Sequence, residues 1–443
     1  MLTRDDNELL SRVGPGTPTG QMLRQYWLPC LPSADLPDAD GAPARVRLLG
    51  EDLIAWRQTD DSVGLMQNSC PHRGASLFFG RNEENGLRCV YHGWKFDTEG
   101  NCVDMPNEPA ESNFKHKIKA TAYQTRERSG VIWAYMGPLA NPPELPYLEW
   151  NLVPTEQVQI SVRLQECNWV QAVEGGIDSS HVGFLHKWFG DERNERGVSN
   201  MYRATDLQPR FEVADTDYGV LIGARREAGD EGYYWRITQF LLPFYSMIPP
   251  QGVNPAIGGH AWVPMDDETT ATWTVGWHPT DAINATNRNQ NLSQTMRLVE
   301  QYGLDPNVAG VLPATTQPGG KWRPVANPRN DYMLNQQVQR EKLFCGIVVG
   351  RTQDQAMQES MGPIYDRTKE HLGASDTAII RVRRRWINSA IALRDQGTPP
   401  PGALEPQAYH VRSVSQVMKR DVVWAEEARR LMGVQPGKPI YAV

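Results

Sequence analysis

The stretch CPHRGASLFFGRNEENGLRCVYHGW, residues 70–94, carries the clearest chemical signal in the chain. It contains two mixed pairs of metal-ligating side chains, Cys70 with His72 and Cys89 with His92. Two thiolates and two imidazoles suit a [2Fe–2S] centre in which histidines replace two cysteines on one iron. Zinc is the alternative, because two Cys and two His are also a zinc ligand set. Zinc fingers usually bring their Cys as one pair and their His as another, so the mixed pairs favour the iron–sulfur cluster.

The composition indicates a folded protein of two or three domains, because the chain has 443 residues. Its formal net charge of −7 gives no sign of nucleic-acid or anionic-membrane binding. The sequence has neither an apolar run of about 18 residues nor a signal-peptide start, so we expect a cytoplasmic protein without a membrane span. The cysteines outside the motif are predicted to be reduced thiols. They are Cys30, Cys102, Cys167 and Cys345.

Short strands are predicted on both sides of the cluster motif. Residues 45–57 read as a hairpin around Gly50, and further strands fit residues 63–66 and 131–135. We therefore expect an N-terminal helical segment over residues 1–34, which packs on the larger domain that follows, and a small all-β domain over residues 35–140. A proline-rich linker then marks the end of the small domain. Its prolines are Pro138, Pro142, Pro143 and Pro146.

Residues 141–443 are predicted to form a larger domain with an antiparallel sheet packed by helices, so the fold class is α+β. Apolar residues alternate from Val158 to Leu164, and the intervals between later strands are too short for crossover helices. A loop rich in proline and glycine is expected at residues 313–330. The predicted later strands are 211–213, 218–222, 233–240 and 269–277. The predicted helices are 168–188, 352–371, 375–395 and 416–432.

A second metal site is predicted around two histidines, His181 and His186. Two His with one carboxylate form the facial triad of non-haem iron oxygenases, which leaves coordination positions open for dioxygen and substrate. Asp178 precedes the first histidine by three residues and suits an outer acceptor that orients a ligand imidazole. The coordinating carboxylate is then sought in a later helix. The candidates there are Asp354, Glu359 and Asp366.

The predicted helix 375–395 carries a dense group of cations. We interpret them as a solvated face, and the alternative is a docking patch for an acidic electron donor. They are Arg381, Arg383, Arg384 and Arg385.

Taken together, these motifs are those of a known family. The whole chain resembles the oxygenase component of Rieske non-haem iron ring-hydroxylating oxygenases, and it looks most like the phthalate dioxygenase group, which has α subunits only. The pairs Cys70–His72 and Cys89–His92 match the Rieske signature, and Asp178-x2-His181-x4-His186 matches the mononuclear-iron signature. Residues 353–364 look like the late carboxylate segment of this group. The opening residues 9–18 and the hairpin 45–56 also look like it.

The resemblance implies two cofactors and a helix-grip, or START-like, catalytic domain. Cys70, His72, Cys89 and His92 would hold a Rieske [2Fe–2S] cluster, and His181, His186 and Asp354 would hold mononuclear Fe(II). The family also implies a homotrimer or a stacked pair of trimers, in which electrons cross between neighbouring subunits. Asp178 would bridge that crossing, bonding His92 of one chain and His181 of the next. Glu174 is assigned no role.

The implied function is the cis-dihydroxylation of an aromatic carboxylate of the phthalate, isophthalate or substituted benzoate kind, with O₂ and electrons from an NADH-dependent flavin and iron–sulfur reductase. One alternative is monooxygenation or O-demethylation of a substituted aromatic acid, and another is a non-catalytic Rieske electron carrier. An acid substrate calls for a buried arginine. Arg236 and Ser179 are the predicted substrate contacts. The other arginines considered are Arg203, Arg210, Arg225 and Arg226.

Overall fold

A computed structural model of the chain describes residues 2–109, 111–189, 198–252, 254–283, 291–435 and 437–442. Within these ranges, no helix is both long enough and apolar enough to cross a membrane. The chain folds as a small β-rich part followed by a larger part built on one sheet. This order confirms the predicted α+β class.

The small part consists of short strands in three antiparallel sheets. The sheets have the orders β1-β10-β9, β2-β3-β4 and β5-β6-β7-β8. The strands are β1 (Trp27–Pro32), β2 (Ala44–Leu48), β3 (Glu51–Arg57), β4 (Val63–Gln67), β5 (Arg81–Asn82), β6 (Leu87–Arg88), β7 (Lys95–Phe96), β8 (Cys102–Asp104), β9 (Gln124–Arg128) and β10 (Val131–Tyr135).

The larger part is built on one antiparallel sheet in the order β11-β17-β16-β15-β14-β13-β12, with β18 paired to β14. It confirms the antiparallel sheet expected from the short intervals between strands. The strands are β11 (Val158–Gln165), β12 (Arg210–Thr216), β13 (Gly219–Glu227), β14 (Tyr233–Leu241), β15 (Tyr245–Ile248), β16 (Ile257–Pro264), β17 (Thr270–Trp277) and β18 (Val414–Met418).

Helices cover both faces of this sheet. The described helices are α1 (Arg4–Ser11), α2 (Pro18–Leu23), α3 (Trp169–Ile177), α4 (Val198–Thr205), α5 (Asn291–Tyr302), α6 (Gln336–Glu341), α7 (Gly350–Ser360), α8 (Thr377–Gln396) and α9 (Trp424–Met432). Trp386 of α8 makes edge contacts with Trp169 of α3 and Phe240 of β14, so these two helices share one face. Trp424 of α9 stacks on Trp235, which points to the opposite face.

Three predicted helices have different bounds in the structure. The helix predicted at 168–188 ends at Ile177, so the two histidines lie beyond it, with a short 3₁₀ turn at His181–Gly183. The helix predicted at 352–371 ends at Ser360. The helix predicted at 416–432 is wrong in its first residues, which form the end of strand β18 and pair with β14. Only Trp424–Met432 are helical.

The N-terminal segment contacts the larger part, since Asn168 Nδ2 donates a hydrogen bond to the carbonyl of Ser11 at 2.9 Å. It is not wholly helical, because Trp27–Pro32 form a strand that pairs with β10 of the small part. The limits 1–34, 35–140 and 141–443 stay a prediction.

The arginines of α8 do not form a uniformly solvated face. Arg383 is buried and forms ion pairs with Glu174 and Glu370, so the prediction of a solvated or docking cation is wrong for this residue. Arg381 pairs with Asp215, and Arg385 donates to the carbonyl of Thr216. These contacts stabilise the helix on the sheet.

Candidate active site

The two halves of the cluster motif are loops with the same hydrogen-bond pattern. In each, the Cys N–H bonds a carbonyl five residues on, from Cys70 to Ala75 and from Cys89 to Trp94, at 2.8 Å. A glycine four residues after each Cys donates back to the Cys carbonyl at 2.9 Å. Gly74 and Gly93 both have positive φ, of 75° and 81°, which favours glycine at this turn.

The four side chains of these loops meet in two pairs. Both Cys are buried in a small apolar core with Trp56 and Phe96, and burial and the neighbouring thiol raise the pKa of Cys70 to about 11. The Nδ1 atoms of His72 and His92 lie 3.1 Å apart. The two imidazoles thus bring their Nδ1 atoms close together, next to the two thiols. This arrangement fits a cluster with two Cys on one iron and two His on the other.

The histidine pair lies near the surface and is flanked by aromatic rings. The His72 ring stacks on Trp94 at 4.4 Å between centroids, and the Tyr91 ring lies 3.9 Å from that of His92. Burial and the nearby His72 lower the pKa of His92. Beside His92 the surface includes Val90 and Tyr91, each 57% exposed, and the Arg73 guanidinium lies over the Tyr91 ring.

Two glycines of helix α3 allow close packing that positions the second motif, which follows this helix. A Cβ at Gly176 would lie 1.9 Å from Trp262 Cη2, and one at Gly175 would lie 2.1 Å from Gln358 Nε2. The helix therefore packs directly against strand β16 and helix α7. This contact places the residues after α3 beside the residues of α7.

His181, His186 and Asp354 converge there. Their ligand atoms lie within 4.8 Å of one another, and they are the one such group of three metal-ligating side chains among the described residues. Asp354 Oδ1 lies 3.3 Å from His181 Nε2 and 3.2 Å from His186 Nε2. Two imidazoles and one carboxylate on one side of a point form a facial donor set that suits Fe(II).

The other nitrogen of each imidazole has its own acceptor. His181 Nδ1 lies 3.0 Å from Asp178 Oδ2, and His186 Nδ1 lies 2.6 Å from Gln353 Oε1. Both contacts place a hydrogen on Nδ1, so Nε2 is the atom of each imidazole that is left to bind a metal beside Asp354. The sequence analysis did not identify Gln353 as a site residue. Its position next to Asp354 in the chain is the signal that could have indicated it.

Burial and charge act against each other in this group. Burial disfavours the charged form of His181, but hydrogen bonds to Asp178 and Asp354 raise its pKa to about 10. Burial alone would raise the pKa of Asp354, but the two histidines hold it well below its usual range. The carboxylate is therefore ionised, as a metal ligand requires.

The two other candidate carboxylates are engaged elsewhere. Glu359 accepts hydrogen bonds from the Glu166 N–H at 2.7 Å and from the Tyr332 hydroxyl at 2.6 Å. Asp366 is bound by Thr368 and Lys369 near the surface. Neither meets the histidine pair, and the structure brings Asp354 there instead.

Arg236 and Ser179, the two predicted substrate contacts, lie together next to Asp178. Arg236 is 4% exposed, not an exposed strand cation, and its Nε lies 3.3 Å from Ser179 Oγ. Its Nη1 is buried without a hydrogen-bond partner among the described residues. Arg226, on the adjacent strand, donates to the Ser179 carbonyl at 2.8 Å. The remaining arginines are not brought into this arrangement, since Arg203 bonds Gln251, Arg225 pairs with Glu212 and Arg210 is exposed.

Comparison with known proteins is consistent with both halves of the chain. Residues 26–121 match the Rieske [2Fe–2S] domain, and residues 134–435 match the family described as "LigXa C-terminal domain like". Among solved structures, NdmB of Pseudomonas putida CBB5 aligns with a TM-score of 0.60 at 16% identity, over 92% of this chain and 99% of that one. The terminal oxygenase of carbazole 1,9a-dioxygenase from Novosphingobium sp. KA1 aligns with a TM-score of 0.52 at 19% identity, over 89% and 96%. These structures share the fold.

The sequence relatives are closer. The chain is 39% identical over 428 residues to the 3-chlorobenzoate-3,4-dioxygenase oxygenase subunit of Comamonas testosteroni, covering 96% of this chain and 97% of that one. It is 38% identical over 443 residues to the phthalate 4,5-dioxygenase oxygenase subunit of Pseudomonas putida, covering 97% and 95%. The chain therefore belongs to the Rieske non-haem iron oxygenases.

Within that family, these relatives assign the chain to the phthalate dioxygenase group, as the sequence motifs predicted. The chain is the oxygenase component of a multicomponent enzyme, and its cofactors are a Rieske [2Fe–2S] cluster and a mononuclear iron. The alternatives of a zinc site in residues 70–94 and of a non-catalytic electron carrier are thereby wrong.

Proposed function

We propose that this oxygenase component adds both atoms of O₂ to the ring of an aromatic carboxylate and forms a cis-dihydrodiol. The observation that carries the proposal is the buried Arg236, whose unpartnered Nη1 and whose contact with Ser179 lie next to the Asp178–His181 pair. A buried guanidinium with free donors suits a carboxylate, which it can bind through two parallel hydrogen bonds. The two relatives named for chlorobenzoate and phthalate support the same substrate class.

We assign the metal ligands as the sequence predicted them. Cys70, His72, Cys89 and His92 would hold the cluster, and His181, His186 and Asp354 would hold the mononuclear iron. When bound, the cluster supplies electrons and the iron supplies the activation of dioxygen. Two electrons and two protons accompany each O₂, so that both oxygen atoms end in the product.

The other residues orient the reacting groups. Asp178 and Gln353 fix the tautomer and direction of the two ligand imidazoles through their Nδ1 atoms. Arg236 and Ser179 would hold the substrate carboxylate, which turns the ring toward the iron ligands. The protein thereby contributes binding and orientation.

We further propose that Asp178 bridges two subunits of a homotrimer, or of a stacked pair of trimers. Within one chain, Asp178 bonds Ser180 and His181 but is not hydrogen-bonded to His92, which leaves this contact for a second copy. The exposed apolar residues around His92 support burial of that surface in an interface. An NADH-dependent flavin and iron–sulfur reductase would supply the electrons from the cytoplasm.

Labelled dioxygen tests the reaction type. The purified oxygenase, given a surrogate reductase, NADH and ¹⁸O₂, is screened with phthalate, isophthalate and substituted benzoates. We expect a product that carries two labelled atoms. A single labelled atom in every product, or NADH and O₂ consumption without product for any aromatic acid, would overturn the proposal.

O-Demethylation is the second candidate. A relative named 5,5'-dehydrodivanillate O-demethylase oxygenase subunit, from a Sphingobium strain, is 31% identical over 435 residues and covers 96% of this chain. The same iron ligands would serve both reactions, so methoxybenzoates belong in the screen. Formaldehyde with a phenol as the products would favour this candidate.

A further inference from the structure

Three polar side chains form a row on one face of the catalytic sheet. Ser246 of β15 stands opposite His260 of β16, which stands opposite Thr274 of β17. Residues directly opposite each other point to the same face, so the three side chains are neighbours. Ser246 Oγ, His260 Nδ1 and Thr274 Oγ1 are all buried, and none has a hydrogen-bond partner among the described residues.

The row lies on the face that carries the metal-site helices. Ser246 is also opposite Phe240, which contacts α8 on that face. Trp262, two residues from His260, packs against Gly176 of α3. Arg351, one turn before Asp354 in α7, donates to the carbonyl of Thr272 at 2.9 Å, two residues from Thr274. Helices α3 and α7 therefore both contact the sheet at the paired residues Trp262 and Thr272, one step along the same face from the row.

Arg236 points to the same face of the sheet from strand β14, four residues before Phe240. With about 3.3 Å per residue along a strand and 4.8 Å between strands, the Cα atoms of Arg236 and His260 would be roughly 16 Å apart in a flat sheet. That separation is short enough for both side chains to contact one substituted aromatic acid bound over this face.

Buried polar atoms without partners are costly, and each one calls for an explanation. Here three such atoms lie in one row next to the proposed reaction site. A ligand that forms hydrogen bonds with all three would explain them together. The row is uncharged, because burial and the nearby Arg351 lower the pKa of His260 to about 3. It offers two hydroxyls and one neutral imidazole, which suit an oxygen-bearing group of a ligand.

We propose that Ser246, His260 and Thr274 form a second substrate subsite, which hydrogen-bonds an oxygen-bearing substituent on the aromatic acid that Arg236 holds by its carboxylate. This rests on the proposed function, and it narrows the substrate class to aromatic acids whose ring carries a second, oxygen-bearing substituent. A hydroxyl, an alkoxy group and a second carboxylate share this chemistry. A pocket built to bond such a group disfavours the analogue that lacks it, because its own polar atoms then stay unpaired.

The test compares binding of matched ligands to the iron-loaded holoenzyme by anaerobic titration calorimetry. The pairs are 3-hydroxybenzoate with 3-methylbenzoate and 4-hydroxybenzoate with 4-methylbenzoate, and isophthalate and 3-methoxybenzoate identify the preferred oxygen group. We expect the hydroxyl member of one pair to bind about tenfold more tightly. Thr274→Val and His260→Phe should reduce the ratio of the two dissociation constants, methyl compound to hydroxyl compound, toward one. The methyl compound should keep its affinity.

Thr216→Val, on the edge strand β12 and outside the row, is the matched control and should leave the ratio unchanged. An unchanged ratio in both row variants, with methylbenzoate still bound, would overturn the subsite and leave the proposed function intact. Failure of every aromatic acid to bind the wild-type holoenzyme would overturn both. Arg236→Gln should weaken all the acids equally, which separates the carboxylate anchor from the row.

Discussion

Two carboxylates flank the His181 imidazole and serve different tasks. Asp354 lies at Nε2, the nitrogen that we propose as the metal ligand, whereas Asp178 lies at Nδ1, where it fixes the tautomer. The sequence already offered both residues, but spacing alone could not divide the roles between Asp354, Glu359 and Asp366. Hydrogen bonds elsewhere in the fold engage the last two, and such long-range contacts cannot be read from local sequence.

Replacing Asp354 by Ala should empty the mononuclear site and leave the cluster intact. The two histidines alone provide too few ligands for Fe(II). Iron should fall from about three atoms per chain to about two, with the visible Rieske spectrum unchanged. Asp366→Ala, which removes a carboxylate that binds Thr368 and Lys369, is the control and should keep the full iron content. Full iron in Asp354→Ala would move the ligand to Glu359 or Asp366.

Replacing Asp178 by Asn should keep both metals and slow turnover by about ten- to a hundredfold. The amide is similar in shape, but it removes the charge that orients His181 and that would bridge to the next subunit. Iron content and steady-state O₂ uptake with a substrate from the screen measure the two effects. Asp215→Asn, in a surface ion pair with Arg381, should turn over normally. Normal turnover in Asp178→Asn would remove the bridging role.

At the scale of elements, the site depends on how closely α3 approaches its neighbours. Gly176→Ala should destabilise the protein by about 1–3 kcal/mol, because the added Cβ meets the Trp262 ring and the helix must shift. We also expect lower occupancy of the mononuclear site, since His181 and His186 follow α3 directly. The melting temperature and the iron content measure these effects. Gly350→Ala, a helix glycine with open space around its Cβ position, is the control and should keep both.

Helix α3 is also joined to α8 by a buried charge network. Glu174 pairs with Arg367 and Arg383, and burial alone would raise its pKa, but the two guanidinium groups hold it below the ordinary value. Its stabilisation is therefore fully present above about pH 4.3, where an unfolded glutamate titrates, and is lost as the pH falls through the lowered folded pKa. Sequence reasoning assigned this residue no role.

Glu174→Gln should cost about 3–5 kcal/mol near neutral pH, because it leaves two buried guanidinium groups undercompensated. Chemical unfolding at pH 7 and at pH 4 measures both the cost and its pH dependence. The difference between wild type and variant should shrink at the lower pH. Glu427→Gln breaks an exposed pair with Arg430 and should cost less than about 1 kcal/mol. An equal cost for the two substitutions would contradict the network.

Sequence patterns predicted elements well where the local signal agreed with tertiary packing. The alternation in Val158–Gln165 and the apolar face of α8 correspond to a strand and a helix in the structure. The predictions were wrong where the fold overrides local periodicity. Val414–Met418 becomes a strand because β14 has an open edge beside it, and Arg383 is buried because two glutamates from distant segments meet it. His260 gave no signal, since its two partners in the row come from two other strands.

At the scale of the whole molecule, the question is how electrons pass from the cluster to the mononuclear iron. If Asp178 and His92 belong to the same electron path, the two residues must come from different chains. In a closed ring of three subunits, each chain would give electrons to one neighbour and receive them from the other. The exposed Val90 and Tyr91 beside His92 then become part of the contact. A path within one chain would leave the same apolar surface in water.

Mixed assemblies distinguish these two paths. His181→Ala keeps the cluster and loses the mononuclear site, whereas Cys89→Ser loses the cluster and keeps that site, so each variant alone should be inactive. The two variants are co-expressed with different tags, and mixed trimers are purified through both tags. Every mixed trimer then contains one interface that joins an intact cluster to an intact iron site. Such a preparation should show about a third of the wild-type rate. Co-expression of His181→Ala with Asp354→Ala, in which both chains lack the mononuclear site, is the control and should stay inactive. An inactive first mixture that elutes as a trimer would mean that electrons travel within one chain, and Asp178 would then orient His181 without bridging subunits.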